Sequence, residues 1–155
     1  MSAVTGTGQD TVWWQRGQME IKARAEDTGG VLGLTEGRFL HEGYGPPLHV
    51  HSREDEAMYV LEGRIRFRVG DDEFVAGPGS WVWQPRGVPH AFSVESQSAR
   101  ALCIWTPGGL ERMFEEGGVP VGDSTEPPDP SQPEPEAAAA LAQKYDFEVV
   151  GPLLA

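Results

Sequence analysis

Two histidines separated by one residue, His49 and His51, are followed five positions later by an acidic side chain, Glu56. On an extended strand, side chains at positions i and i+2 project to the same face about 6 to 7 Å apart, so two imidazoles can share one metal ion. The carboxylate of Glu56 can approach from the start of the next strand, and mixed nitrogen and oxygen ligands suit a first-row transition metal. A fourth ligand is needed, and the other histidines of the chain are His41 and His90.

The surrounding sequence predicts an all-β fold that would position these side chains. Twenty glycines and 13 prolines separate apolar-rich runs at short intervals, as is typical of strands joined by tight turns. Residues 64–69 alternate three arginines with three apolar side chains, which indicates one buried and one wet sheet face. Short antiparallel strands at this spacing suggest a sandwich or small barrel. The predicted strands are residues 18–25, 32–39, 48–51, 57–61, 64–69, 72–75, 80–84, 90–94 and 100–106.

The composition changes beyond Thr106. A short helix is predicted over residues 110–116, and the segment 117–135, dense in proline and acid, is expected to be an extended linker. A run of alanines predicts a second helix over 134–144, and the apolar residues 145–154 are expected to dock on the barrel. We therefore divide the chain into N-terminal strands and arm (1–30), barrel (31–108) and C-terminal extension (109–155).

The overall composition excludes several classes of protein. The 155 residues suffice for one domain with a sizeable core. With 12 basic and 24 acidic residues, the net charge of -12 argues against binding to nucleic acid or an anionic membrane. The single cysteine, Cys103, excludes an intramolecular disulfide and is expected to be an inert buried thiol. The N-terminus shows neither a basic start nor an apolar run, and no stretch is apolar enough to span a bilayer, so we expect a cytoplasmic protein.

A strand, a Pro-x-Gly turn and a histidine follow one another between Gly79 and His90. Together with the stretch from Gly43 to Gly63, this arrangement resembles the cupin family. The first cupin motif is Gly, five residues, His-x-His, three or four residues, Glu, six residues, Gly; it is met by Gly43, His49, His51, Glu56 and Gly63. The second is Gly, five residues, Pro-x-Gly, two residues, His, three residues, Asn; it is met by Gly79, Pro85, Gly87 and His90, with Val94 in place of the asparagine.

The resemblance implies a small cupin barrel, a double-stranded β-helix or jelly roll. It also implies one divalent transition metal ion held inside by His49, His51, Glu56 and His90, without distinguishing Fe, Mn, Ni, Co, Cu or Zn. Three neutral imidazoles and one carboxylate would leave two positions of an octahedral ion open for water, substrate or dioxygen. His41 is then expected to be a surface or turn residue.

The proline-rich linker and terminal alanine-rich helix resemble the bacterial quercetin 2,3-dioxygenase-like cupins. This resemblance implies a dioxygenase that cleaves an enolisable aromatic, flavonol- or polyketide-like substrate. Glu56 would both bind the metal and accept the substrate hydroxyl proton, which requires a pKa near the working pH. The alternatives are a non-redox metal-dependent isomerase, cyclase or decarboxylase, and a cupin that binds a small molecule without catalysis. A homodimer is expected, with Trp13 and Trp14 either at the dimer contact or over the barrel edge.

An apolar substrate pocket is expected beside the metal. Strand alternation sends the residues two and four positions after Glu56 and after His90 to the same face as these ligands. Aromatic residues in strands belong more often to the core than to a site. The predicted pocket residues are Met58, Val60, Phe67, Trp83, Phe92, Val94 and Trp105.

Overall fold

A computed structural model describes residues 10–123, 126–127 and 135–155. Two α-helices lie in this part of the chain, α1 (Arg112–Gly117) and α2 (Pro135–Lys144), and a 3-10 helix spans Ala25–Thr28. The strands are β1 (Thr11–Trp14), β2 (Gly17–Ala23), β3 (Gly33–Phe39), β4 (Pro47–His51), β5 (Asp55–Glu62), β6 (Ile65–Val69), β7 (Asp72–Ala76), β8 (Trp81–Gln84), β9 (His90–Val94), β10 (Ala99–Thr106), β11 (Val119–Pro120) and β12 (Phe147–Leu153).

These strands form two antiparallel sheets, which confirms the predicted all-β fold with a short helical part near the C-terminus. The larger sheet has the order β11-β1-β2-β3-β10-β5-β8, and the smaller has the order β12-β4-β9-β6-β7. Among the described residues no strand pairing joins the two sheets, so the predicted barrel is a sandwich of two sheets. The site residues of the sequence analysis are divided between the sheets, since β4 and β9 lie in the smaller and β5 in the larger.

Alternation along β6 shows how the sequence builds the core. Ile65 and Phe67 are completely buried, and burying such side chains stabilises a fold by about 1.5–3 kcal/mol each. Arg66, between them, faces outward and pairs with Glu95 at 2.5 Å. The period of two read from residues 64–69 therefore corresponds to one core face and one wet face.

Several elements differ from the sequence-based boundaries. The hairpin β1–β2 begins before the first predicted strand and buries Trp13 in the fold, where it is 3% exposed. Strand β11 pairs with β1 inside the segment predicted as a linker. The apolar run after α2 is a strand, β12, which pairs with β4. Residues 1–9 of the predicted arm and 124–125 and 128–134 of the predicted linker lie outside the described residues.

The outer face of the larger sheet is aromatic at its β8 edge. Trp81, Trp83 and Tyr59 are 57%, 47% and 37% exposed, and Tyr59 lies opposite Trp81 across the β5–β8 pair. Further along the same sheet, Arg100 pairs with Glu36 at 3.3 Å and with an acidic residue of β5 at 3.0 Å. This face is therefore apolar at one end and charge-balanced beside it, although the chain as a whole is acidic.

The loop before β4 lies very close to the backbone of β9. A Cβ atom at Gly45 would lie 1.8 Å from the carbonyl oxygen of Phe92, so glycine is needed there for steric reasons. Hydrogen bonds flank this contact: the Val94 N–H donates to the Tyr44 carbonyl at 2.9 Å, and the Gly43 N–H donates to the Val94 carbonyl at 2.8 Å. This close packing fixes the position of β9 relative to the start of β4.

None of the described helices is long and apolar enough to cross a bilayer.

Candidate metal centre

Three strands bring the predicted ligand side chains together between the two sheets. His49 and His51 lie on β4, His90 lies opposite His49 on β9, and Glu56 reaches in from β5 of the other sheet. One ligand atom from each of these four residues lies within 4.8 Å of the others. The Oε2 atom of Glu56 is 3.4 Å from Nε2 of His51 and 3.2 Å from Nε2 of His90. The donor set, three imidazoles and one carboxylate, fits a divalent first-row transition metal.

Backbone carbonyl groups orient two of the imidazole rings. The Nδ1 atom of His49 lies 2.8 Å from the Pro47 carbonyl oxygen, and Nδ1 of His90 lies 3.1 Å from the Val88 carbonyl oxygen. An Nδ1–H that donates to a carbonyl leaves the lone pair on Nε2, the atom that faces the centre of the cluster. These rings are therefore held in the tautomer that a metal ligand requires.

The electrostatics of the cluster favour an ionised Glu56 and a neutral His49. Burial, with the nearby His90 adding to it, lowers the pKa of His49 to about 4. For Glu56, burial raises the pKa, but the contacts with the imidazoles of His51 and His90 outweigh burial and hold the pKa well below its ordinary value. For His90, burial lowers the pKa, yet the contact with Glu56 prevails and raises it. The pKa of Glu56 is thus shifted away from neutral pH, opposite to the sequence-based expectation.

The fourth histidine lies apart from the cluster. The Nδ1 atom of His41 is 2.8 Å from the Glu42 carbonyl oxygen, and its ring contacts that of Tyr44 edge-on at 5.5 Å. Among the described residues, the group capable of holding a metal contains the other three histidines and Glu56.

A cavity of about 540 Å³ opens beside the four side chains. Its volume lies within the range of about 300–1,000 Å³ that is common for small-molecule sites. The lining is predominantly apolar, and its aromatic members are Trp14, Phe39, Tyr44, Phe92, Trp105, Phe114 and Phe147. The polar cluster therefore faces a largely apolar chamber.

The structure separates the predicted pocket residues into three groups. Phe92 and Trp105 line the cavity. Trp83 does not, because Val82 and Gln84 are the inward-facing residues of β8 and Trp83 is 47% exposed on the outer face. The remaining four lie in the buried core without lining the cavity: Met58, Val60, Phe67 and Val94.

Much of the cavity wall comes from segments that the sequence analysis did not assign to the site. In the β12–β4 pair, Phe147 lies opposite His51 and Val149 lies opposite His49. Helix α2 contributes Leu141, which is 7% exposed. Tyr145, the residue after α2, donates a hydrogen bond of 2.5 Å to Glu116 of α1. The apolar composition of residues 145–154 is the sequence signal for this wall, but it does not indicate which part of the barrel is covered.

Comparison with known proteins relates one part of this chain to a family and its fold to solved structures. Residues 38–106 match the family described as a cupin domain. The quercetin 2,3-dioxygenase of Bacillus subtilis is 26% identical over 110 residues, a match covering 70% of this chain and 32% of that protein's length. The structure of KdgF from Halomonas sp. superposes with a TM-score of 0.63 at 18% identity, covering 72% of this chain and 98% of that one.

A second solved structure is similar to a comparable extent. The polyketide cyclase RemF from Streptomyces resistomycificus superposes with a TM-score of 0.58 at 25% identity, covering 68% of this chain and 79% of that one. The sandwich, the spacing of the two motifs and the family match agree with one another. Residues 38–106 of this chain therefore form a cupin domain.

Proposed function

We propose that this chain is a metal-dependent dioxygenase that cleaves an enolisable aromatic substrate of the flavonol or polyketide type. The observation that carries the proposal is the cluster of His49, His51, Glu56 and His90 at the polar end of a largely apolar cavity of about 540 Å³. The similarity to a quercetin 2,3-dioxygenase supports the choice of reaction.

A divalent transition metal bound by the three histidines and Glu56 would act as a Lewis acid toward a hydroxyl oxygen of the substrate. The Oε2 atom of Glu56 lies beside the Nε2 atoms of His51 and His90, and the lowered pKa of Glu56 keeps it ionised at neutral pH. It is thus available to receive the hydroxyl proton of the substrate. Because a low pKa makes it a weak base, we infer that this transfer depends on a substrate hydroxyl that is itself acidified.

The cavity wall favours a flat, mainly apolar substrate with its oxygen atoms at one end. Phe92 and Trp105 come from the two sheets, and Phe147 comes from the strand beside β4. Aromatic rings pack well against such faces, and the apolar lining excludes water from the reacting end. In the proposed reaction both atoms of one dioxygen molecule enter the products, so no external reductant is needed.

A second candidate is a non-redox reaction, namely cyclisation, isomerisation or decarboxylation of a similar substrate. The similarity to the polyketide cyclase RemF favours it, since that match covers 79% of the cyclase chain whereas the dioxygenase match covers 32% of its counterpart. The same ligands and the same pocket would serve both reactions.

Oxygen consumption separates these candidates. We would load the purified protein with Fe, Mn, Ni, Co, Cu or Zn in turn and incubate it with quercetin and related enolisable aromatics. The dioxygenase proposal predicts one dioxygen consumed per substrate and two labelled oxygen atoms in the products from ¹⁸O₂. The double variant His49→Ala/His51→Ala should lose this activity, and the matched variant His41→Ala should keep it.

Two outcomes would contradict the first proposal. Product formation under strict exclusion of dioxygen would establish the non-redox reaction instead. Ligand-induced thermal stabilisation without product, with every metal and both with and without dioxygen, would identify a small-molecule-binding protein that is not an enzyme.

A further inference from the structure

Two buried polar atoms beside the metal centre have no hydrogen-bond partner among the described residues: Nδ1 of His51 and Oε2 of Glu54. They lie 3.9 Å apart, and each side chain is only 4% exposed. Neither atom is well placed to be satisfied by bulk water, and burying a polar group without a partner costs free energy. The two atoms are chemically complementary, because the Nδ1–H of a histidine can donate a hydrogen bond to a carboxylate oxygen.

The other two histidines show what His51 lacks. The Nδ1 atoms of His49 and His90 each have a backbone carbonyl oxygen within 2.8 and 3.1 Å, respectively. His51 directs Nε2 toward Glu56 in the same way, but its Nδ1 faces a carboxylate instead of a carbonyl. We infer that Glu54 is a positioning residue, which accepts the Nδ1–H of His51 and holds that ring with Nε2 toward the metal.

The contact needs only a small adjustment. A direct hydrogen bond between these atoms would be about 2.7–3.2 Å long, so the present 3.9 Å must shorten or be bridged by a water molecule. Glu54 lies just before β5, at the end of the short segment that joins it to β4. Glu54 is therefore held by a connecting segment and is not part of a strand pair.

The inferred role has a chemical consequence that the carbonyl contacts lack. A carboxylate acceptor raises the basicity of the imidazole it orients and fixes its tautomer. The inference rests on the proposed metal site, but it concerns a residue that would not touch the metal.

Zinc binding to the full chain tests this inference, because Zn²⁺ is diamagnetic and its affinity can be measured without turnover. In competition with a chelator, Glu54→Ala should bind Zn²⁺ about 10- to 100-fold more weakly than the wild type. Glu54→Gln should lose less, since its amide oxygen can still accept the hydrogen bond. Asp55→Asn, which alters the neighbouring carboxylate paired with Arg86, is the matched control and should bind like the wild type.

Nuclear magnetic resonance of ¹⁵N-labelled, zinc-loaded protein reports the orientation itself. The Nδ1–H signal of His51 should shift and exchange faster in Glu54→Ala, while the signals of His49 and His90 stay in place. Wild-type zinc affinity in Glu54→Ala would overturn the inference. Equal losses of affinity in Glu54→Ala and the control Asp55→Asn, without a change specific to the His51 signal, would overturn it as well. If the wild type binds no metal, the proposed function fails as well; if it binds and Glu54→Ala binds equally, only this inference fails.

Discussion

Replacing Gly45 by alanine tests how tightly β9 is held behind the candidate metal centre. The new Cβ atom would lie 1.8 Å from the Phe92 carbonyl oxygen, whereas real Cβ contacts essentially never fall below 3.0 Å. The two segments must therefore separate by about 1.2 Å, the difference between these two distances. The flanking hydrogen bonds, from Val94 to Tyr44 at 2.9 Å and from Gly43 to Val94 at 2.8 Å, cannot both keep their length during such a separation.

The expected loss of unfolding free energy follows from these contacts. An overpacked contact costs about 1–3 kcal/mol, and each of the two hydrogen bonds contributes about 0.5–1.5 kcal/mol. Adding one contact and two bonds, we expect Gly45→Ala to lower the free energy of unfolding by about 2–6 kcal/mol, a large part of the 5–15 kcal/mol typical of a domain. Because His90 lies on the displaced strand, metal affinity should fall in the same variant.

Urea unfolding measures this change, and Gly77→Ala is its matched control. At Gly77 a Cβ atom would meet nothing within 4 Å, so we expect the free energy of unfolding to change by no more than about 0.5 kcal/mol. The steric argument would be refuted by a Gly45→Ala protein as stable as the wild type, or by equal destabilisation in the two variants.

The outer sheet face, the cysteine and the contact between the helices each give one more prediction. Molecules of net charge -12 repel one another, so a second copy of this chain should bind only where the surface is apolar or charge-balanced. We therefore predict a homodimer in which the second copy covers the exposed Trp81 and Trp83. Replacing both tryptophans by serine should therefore convert a dimer mass in light scattering to a monomer mass; an unchanged dimer would place the contact elsewhere. Burial raises the pKa of Cys103, and so does the nearby carboxylate at the metal centre, so a thiol reagent should modify it only in denaturant. Hydrogen bonds, first of all from Tyr145, lower the pKa of Glu116 below 4.5, so the stability it adds is present above pH 4.5 and lost as the pH falls through the lowered pKa. The loss of unfolding free energy on acidification, followed by circular dichroism, should be smaller in Glu116→Gln than in the wild type. An equal loss in the two proteins would contradict this prediction.

The closeness of the candidate ligands in the fold is predictable from local sequence features. His49 and His51 are two positions apart on one strand, so strand geometry alone places them on one face. The Pro-x-Gly turn brings His90 to the head of the strand that pairs with theirs. These relationships depend on short spacings, which a sequence displays directly.

The pocket wall depends on relationships that the sequence does not display. Phe147 reaches His51 through pairing between distant segments, and no local pattern specifies that partner. Trp83 illustrates a different difficulty. An alternating strand can direct either its two tryptophans or Val82 and Gln84 into the core, and the sequence of β8 does not indicate which pair faces inward. The lowered pKa of Glu56 likewise depends on its distances to two imidazoles, and these distances are set only when the chain folds.

Under the proposed function, the division of the cavity between two parts of the chain separates reactivity from selectivity. The candidate ligands all lie inside the segment 38–106 that matches the cupin domain, whereas Trp14, Leu141 and Phe147 lie outside it. Substitutions in the flanking segments can therefore reshape the chamber while leaving the ligand geometry intact. Related chains could diversify the molecules they accept by changing these outer segments, and a laboratory search for new substrates would begin with the same positions.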